Sequence, residues 1–283
     1  MSRYLLLVLD GEMKPKDVSR LGSDTSVHVE KGKSLININK LPRSDLEDVL
    51  RKIAASGVHR RDRSFNVGEM PKHKDPPGEK IAAFRLAPDD TGLPANPESD
   101  FEDSGPHFQR CSRLRENVVL DVIRIPEGHM AAVGLEQVVD QGLADWLREM
   151  NPEMVFGNVT WKGKKIPWRR ILAVPASDIL DKELAFNPEI PCRLCGKPIF
   201  PLRLTLIARK GILLADTQIV SNSPGFGHQR KELVILVGLE AAKLLKAKFR
   251  TGYILKPVYA ADSQTAEYII KVQTLLDKYL PPV

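Results

Sequence analysis

Apolar and polar positions alternate along this chain in recognisable rhythms. Tyr4–Leu9 is a short apolar run closed by Asp10-Gly11, and it predicts a buried first strand. Ser34–Asn39 alternates at period two, which predicts a strand with one wet face. Pro42 ends it. Leu46, Val49, Leu50 and Ile53 then recur at i, i+3, i+4 and i+7. Ser44 and Glu47 have the spacing of a capping box, and Gly57 is a stop signal, so a helix is predicted over Ser44–Ser56.

Further along, Asn117–Ile125 predicts a strand. Gly134–Met150 predicts a helix, with Leu135, Val138, Val139, Trp146, Leu147 and Met150 as its apolar stripe. Val155–Trp161 and Ile166–Val174 predict two strands joined by Lys162-Gly163-Lys164-Lys165, with Trp168 packing beneath them. Two apolar segments, Ile199–Leu206 and Gly211–Ala215, follow. The tail is the most regular part. Leu233–Val237 predicts a buried strand, and Leu239–Lys248 a short helix with Leu239, Ala242 and Leu245 inward. Tyr253–Val258 predicts a strand, and Asp262 is the predicted cap of a final helix. In that helix Thr265, Tyr268, Ile269, Val272, Leu275, Leu276 and Tyr279 repeat at helical spacing. Strand–helix–strand–helix over this stretch implies an α/β layer.

Between these ordered parts the rhythm breaks. Residues 59–110 are rich in proline, basic at first (His59-Arg60-Arg61-Asp62-Arg63) and acidic later. Only Ile81–Leu86 has strand character there. The reading is a long irregular excursion or linker. The expected organisation is therefore an N-terminal α/β region over 1–58, the excursion over 59–110, and a C-terminal α/β domain over 111–283. The fold class is α+β, with mixed sheets and flanking helices.

Composition narrows the setting. The chain has 283 residues, 42% of them hydrophobic, enough for one large core or two modest ones. A formal charge of +6 on 28% charged residues is too dispersed to imply nucleic acid by itself. Three cysteines, Cys111, Cys192 and Cys195, argue against a secreted disulfide scaffold. The N-terminal apolar run is about six residues long with no small-residue cleavage site, so it is read as a strand and not a signal peptide. Nothing approaches the ~20 apolar residues of a membrane span. The expected compartment is the cytoplasm.

The sharpest chemical motif is Cys192-Arg193-Leu194-Cys195-Gly196-Lys197-Pro198. Two thiols three apart, with glycine after the second, have the form of a zinc knuckle. The glycine lets the backbone turn back so that amides face the sulfurs. A closed structural site needs four ligands. His107 and Cys111 are the other place with paired ligand types, so a Cys3His site of His107, Cys111, Cys192 and Cys195 is the candidate, holding structural zinc. A redox role is disfavoured, because Lys197-Pro198 opposes a helix start after the pair. The stretch Gly157–Lys164 resembles a phosphate loop in outline. Its glycine spacing is one residue too long, and Lys165 stands where Ser or Thr should be. The chain lacks GxSxG, HExxH and EF-hand patterns. No catalytic residue is assigned; a metal hydrolase, the third reading, would need an open coordination position and a nearby acid/base, and the expected four-ligand closure of the knuckle argues against it.

A second constellation interleaves charge with aromatics: Lys162, Lys164, Lys165, Arg169 and Arg170 around Trp161 and Trp168. Such a hairpin could hold phosphates and stack bases. Period two would also place many of these charges on the wet face, so nucleic acid ranks second to a protein partner.

From about Val155 onward the chain resembles the double-CXXCG motif family, bacterial proteins linked to immunity against polymorphic toxins. The Cys192-x-x-Cys195-Gly196 turn, the apolar Pro201–Leu206, the strand Leu233–Val237 leading into Gly238–Lys246, and Leu255-Lys256-Pro257-Val258 carry the resemblance. The family has two CxxCG motifs and this chain has one; its partner would be His107 and Cys111, or be lost. The resemblance implies a non-enzymatic, cytoplasmic protein that occupies a toxin or another protein, with no membrane contact and with zinc as a staple. The alternative is a nucleic-acid-associated knuckle protein.

Overall fold

The computed structural model describes residues 3–41, 44–60, 62–69, 79–89, 118–119, 128–133, 136–161, 164–192, 195–223, 225, 227–228 and 233–282. They form a mixed α+β structure of several sheets with flanking helices.

The first sheet is antiparallel, in the order Thr25–Glu30, Lys33–Leu41, Arg3–Asp10, Asn66–Glu69. Leu5, Leu7 and Leu9 are fully buried, whereas Val8 is 53% exposed. The opening run is thus buried on one face only. Ile36 and Ile38 extend the same dry face, as period two requires. The strand Thr25–Glu30 escapes the sequence reading. It reaches its neighbour through Lys31-Gly32, both at positive φ (45° and 78°), the two-residue turn that suits the twist of a hairpin.

A helix over Leu46–Ala55 buries Leu46, Val49, Leu50 and Ile53, the predicted stripe. Its expected capping box does not form. The N-cap is Asp45, without a side-chain cap bond, and Glu47 Oε1 instead accepts from Lys278 Nζ at 3.1 Å and from the Tyr279 hydroxyl. Those partners belong to the last helix, Gln264–Tyr279. It is capped by Ser263, whose hydroxyl accepts the Ala266 amide at 3.1 Å. Asp262, the expected cap, is paired with Lys80. Ile269, Val272 and Leu276 of this helix share one core with Leu5, Leu7, Leu9 and Leu50. The last helix of the chain therefore closes the core of the first sheet, and residues 1–58 do not bury their apolar face alone.

Part of the proline-rich excursion is structural. Asn66–Glu69 borders the first sheet, and Ile81–Pro88 lies inside a six-stranded sheet ordered Ala176–Ser177, Ile219–Asn222, Ile235–Val237, Ile81–Pro88, Tyr253–Tyr259, Leu206–Ile207. Ile81–Pro88 is antiparallel to both neighbours, and Leu86 is fully buried. The helix Leu239–Lys248 buries Ala241, Ala242 and Leu245. The segment expected at Gly211–Ala215 is not a strand.

A five-stranded sheet has the order Val118–Val119, Val155–Trp161, Lys164–Ala173, Glu136–Asp140, Met130–Val133. It corrects the long helix expected over Gly134–Met150. Val138 and Val139 pair with Arg170 and Arg169, and the helix starts only at Gln141. The β-branched pair fits a helical stripe by spacing but takes the strand that its side chains prefer. Asp140 makes the switch: its carboxylate accepts the amides of Gly142 and Leu143, both at 3.0 Å. Most of the strand expected at Asn117–Ile125 lies outside the described residues.

Candidate functional site

Cys192, Cys195 and Gly196 lie at the tip of a hairpin; Arg193 and Leu194 lie outside the described residues. Ile190 pairs with Ile199 and Pro191 with Pro198. The ladder continues inward: the Cys192 amide donates to the Lys197 carbonyl and the Gly196 amide to the Cys192 carbonyl, each at 2.8 Å. Gly196 has φ +69°, where a side chain on Cα would be strained, so glycine is what permits the return. Cys192 is 6% exposed and Cys195 half-buried, and the two form no disulfide. A third strand, Gly227–His228, joins this small sheet, its His228 backbone opposite Ile199. The sequence spacing gave no reason to single out that position.

The turn suits a metal that wants two thiolates, because it fixes both cysteine backbones on one tight loop. Among the described residues no group of three or more His, Cys, Asp or Glu comes together. His107 and Cys111, the two other predicted ligands, lie outside the described residues.

The basic, tryptophan-bearing hairpin divides. Lys164 and Lys165 are exposed at its tip. Arg169 is half-buried, with Nη1 donating to the Ile166 and Trp168 carbonyls at 3.3 and 2.8 Å. Arg170 is 7% and Trp168 2% exposed. The Trp168 indole therefore lies in the interior and offers no open face for a base, which agrees with its packing beneath the strands. Trp161 pairs with Lys164 at the strand end. Lys162 lies outside the described residues.

Sequence reasoning missed two features. One is a cavity of about 560 Å³ lined by Lys80, Ile81, Lys210, Ile212, Leu213 and Asp262, over which Leu213 is 70% exposed. The other is a buried arginine pair, Arg60 and Arg203, 1% and 4% exposed. Neither carries a motif: the first is built from three distant segments, and arginines read as surface residues in a one-dimensional pattern. No helix among the described residues is long and apolar enough to cross a membrane. No protein-family model, curated protein or solved structure matches this chain.

Proposed function

We propose that this chain is a non-enzymatic, cytoplasmic protein-binding protein, of the toxin-neutralising immunity type, with zinc stapling its CxxCG hairpin. The observation that carries the zinc reading is the hairpin itself: a buried Cys192, a second thiol three residues on, and the positive φ of Gly196. Cys192 and Cys195 would supply two of four ligands, with His107 and Cys111 proposed for the others. Zinc bound this way is closed to substrate and supplies folding energy to its loop. The immunity role rests on the resemblance to the double-CXXCG family.

Elemental analysis of protein purified without added zinc tests the metal. One zinc per chain, lost in both Cys192→Ser and Cys111→Ser, is the expected result. Zinc lost only with Cys192→Ser removes Cys111 from the site; His228→Ala is worth running beside it, because its strand borders the hairpin. A metal-free wild type rejects the staple. The partner class is tested separately, by co-expression with a toxin-like protein encoded beside this one. Rescue of growth supports neutralisation; unchanged killing rejects it.

A further inference from the structure

Two guanidinium groups are sunk where the first sheet meets the segment preceding Leu206–Ile207. That join is tight: the Thr205 hydroxyl donates to the Val67 carbonyl at 2.5 Å, and the Leu204 amide to Asn66 Oδ1 at 3.3 Å. Beside it Arg203 lies over the Phe65 ring, 4.1 Å from its centroid, and its Nε donates to the Phe186 carbonyl at 3.1 Å. Arg203 makes no ion pair among the described residues, and its Nη1 is buried without a partner. Arg60 uses Nη2 on Asp277 at 3.0 Å and Nε on the Asp62 carbonyl at 3.1 Å, and its buried Nη1 is likewise unpaired.

The two cations sense each other. Burial first, and then the charge of Arg60, push the Arg203 pKa down to about 10. Arg203 is still a cation at neutral pH. A buried lysine could shed its proton; a guanidinium keeps it, and an uncompensated buried charge is among the costliest features a fold can carry. The nearby carboxylates, Asp181 and Asp277, offset the charge only in part and through space, without pairing with Arg203. Asp277 is taken by Arg60, and Asp181 Oδ1 accepts the amides of Glu183 and Leu184 at 3.0 and 2.9 Å.

We propose that Arg203 and Arg60 together bind a small oxyanion through their unpaired Nη1 groups. Guanidinium donors suit phosphate, sulfate or carboxylate oxygens, and two of them from different segments make a charge-assisted clamp. A cavity of about 250 Å³ lies alongside, lined by Phe186, whose carbonyl holds Arg203, and by Asn187, whose Oδ1 accepts the Phe65 amide at 3.2 Å; neither arginine lines it. Lys182 on its wall adds positive charge, and Glu189 opposes it. The anion would tie the excursion residues Arg60 and Phe65 to Arg203, so its binding stabilises the join between the first sheet and the rest. This site is independent of the zinc reading.

The test uses the full chain, dialysed free of oxyanions, and follows thermal unfolding against added phosphate, sulfate or acetate, each compared with chloride at equal ionic strength. A saturable rise in Tm with an oxyanion is expected. Response to phosphate and sulfate alone identifies a tetrahedral ligand, and response to acetate as well a carboxylate-type one. Arg203→Met should abolish the rise and, in chloride, melt at or above the wild type, because the unpaired charge is gone. Arg203→Lys should weaken binding by about tenfold or more, since lysine lacks the planar fork. Equal Tm in all four salts, or a rise that survives Arg203→Met, overturns the proposal. Should Arg203→Met fail to fold, the wild-type titration decides alone.

Discussion

The first sheet and the small cysteine-bearing sheet are held in opposite ways. The first has a dry face: Leu5, Leu7, Leu9, Ile36 and Ile38 are fully buried beneath two helices. The second has almost none. Ile190 is 37% exposed, Pro198–Phe200 are half-buried, and Ile190, Ile199 and Phe200 belong to no core cluster among the described residues. Apolar burial at ~25 cal/mol per Å² secures the first and leaves the second short. A sheet of three such short strands with little burial needs another source of order. That contrast supports a staple at Cys192 and Cys195, where a core would otherwise stand.

Leu276→Ala probes the dry side and should have the largest effect. It removes a fully buried side chain from the shared core, at a cost of about 2–5 kcal/mol. Denaturant unfolding should stay a single transition, and hydrogen exchange at residues 5–9 should speed up with it. Unchanged protection of those strands would mean that the first sheet stands without the last helix.

The cysteine-bearing side, with the proposed staple, should behave differently. Chelation, or Cys192→Ser, should raise exchange across 190–200 while changing global stability by about 1 kcal/mol or less, because the three main clusters do not include the hairpin strands. A global collapse on chelation would show that the small sheet carries weight in the main core, and the comparison would fail.

Local rules were legible where the partner lies within the same element. The stripe at Leu46, Val49, Leu50 and Ile53 needs only helical spacing, and the CxxCG turn needs only glycine after the second thiol. Long-range choices were not legible. Nothing in Ile81–Pro88 says that it slots between Ile235–Val237 and Tyr253–Tyr259. Val138 and Val139 satisfy a helical stripe until Arg169 and Arg170 are seen pairing with them. Ser44 and Glu47 have capping-box spacing, but Tyr279 and Lys278, far along the chain, claim the carboxylate. Arg60 and Arg203 meet only through the fold.

The misplaced caps allow a finer cut. Ser263→Ala deletes a real cap bond on the helix that closes the first sheet, and should cost about 1 kcal/mol. Ser44→Ala should be nearly silent, within about 0.5 kcal/mol, since no cap bond forms at the start of Leu46–Ala55. Equal losses at both sites in urea titrations would restore the capping box.

The smallest effect concerns the exposed clasp between the two helices. The Tyr279 hydroxyl, and then Lys278, hold the Glu47 carboxyl below its ordinary value of 4.5. A depressed folded pKa means that the unfolded chain binds the proton first as pH falls. The stabilisation is therefore complete above about pH 5 and fades as pH drops through the lower, folded value. Glu47→Gln should melt slightly below the wild type at pH 7, and the gap should close toward pH 3. Added salt should shrink it at neutral pH, because the Lys278 contribution is exposed and screened. Parallel melting curves from pH 7 to pH 3 would show that the hydroxyl and ammonium contacts contribute nothing, and that apolar burial alone joins the last helix to the first sheet.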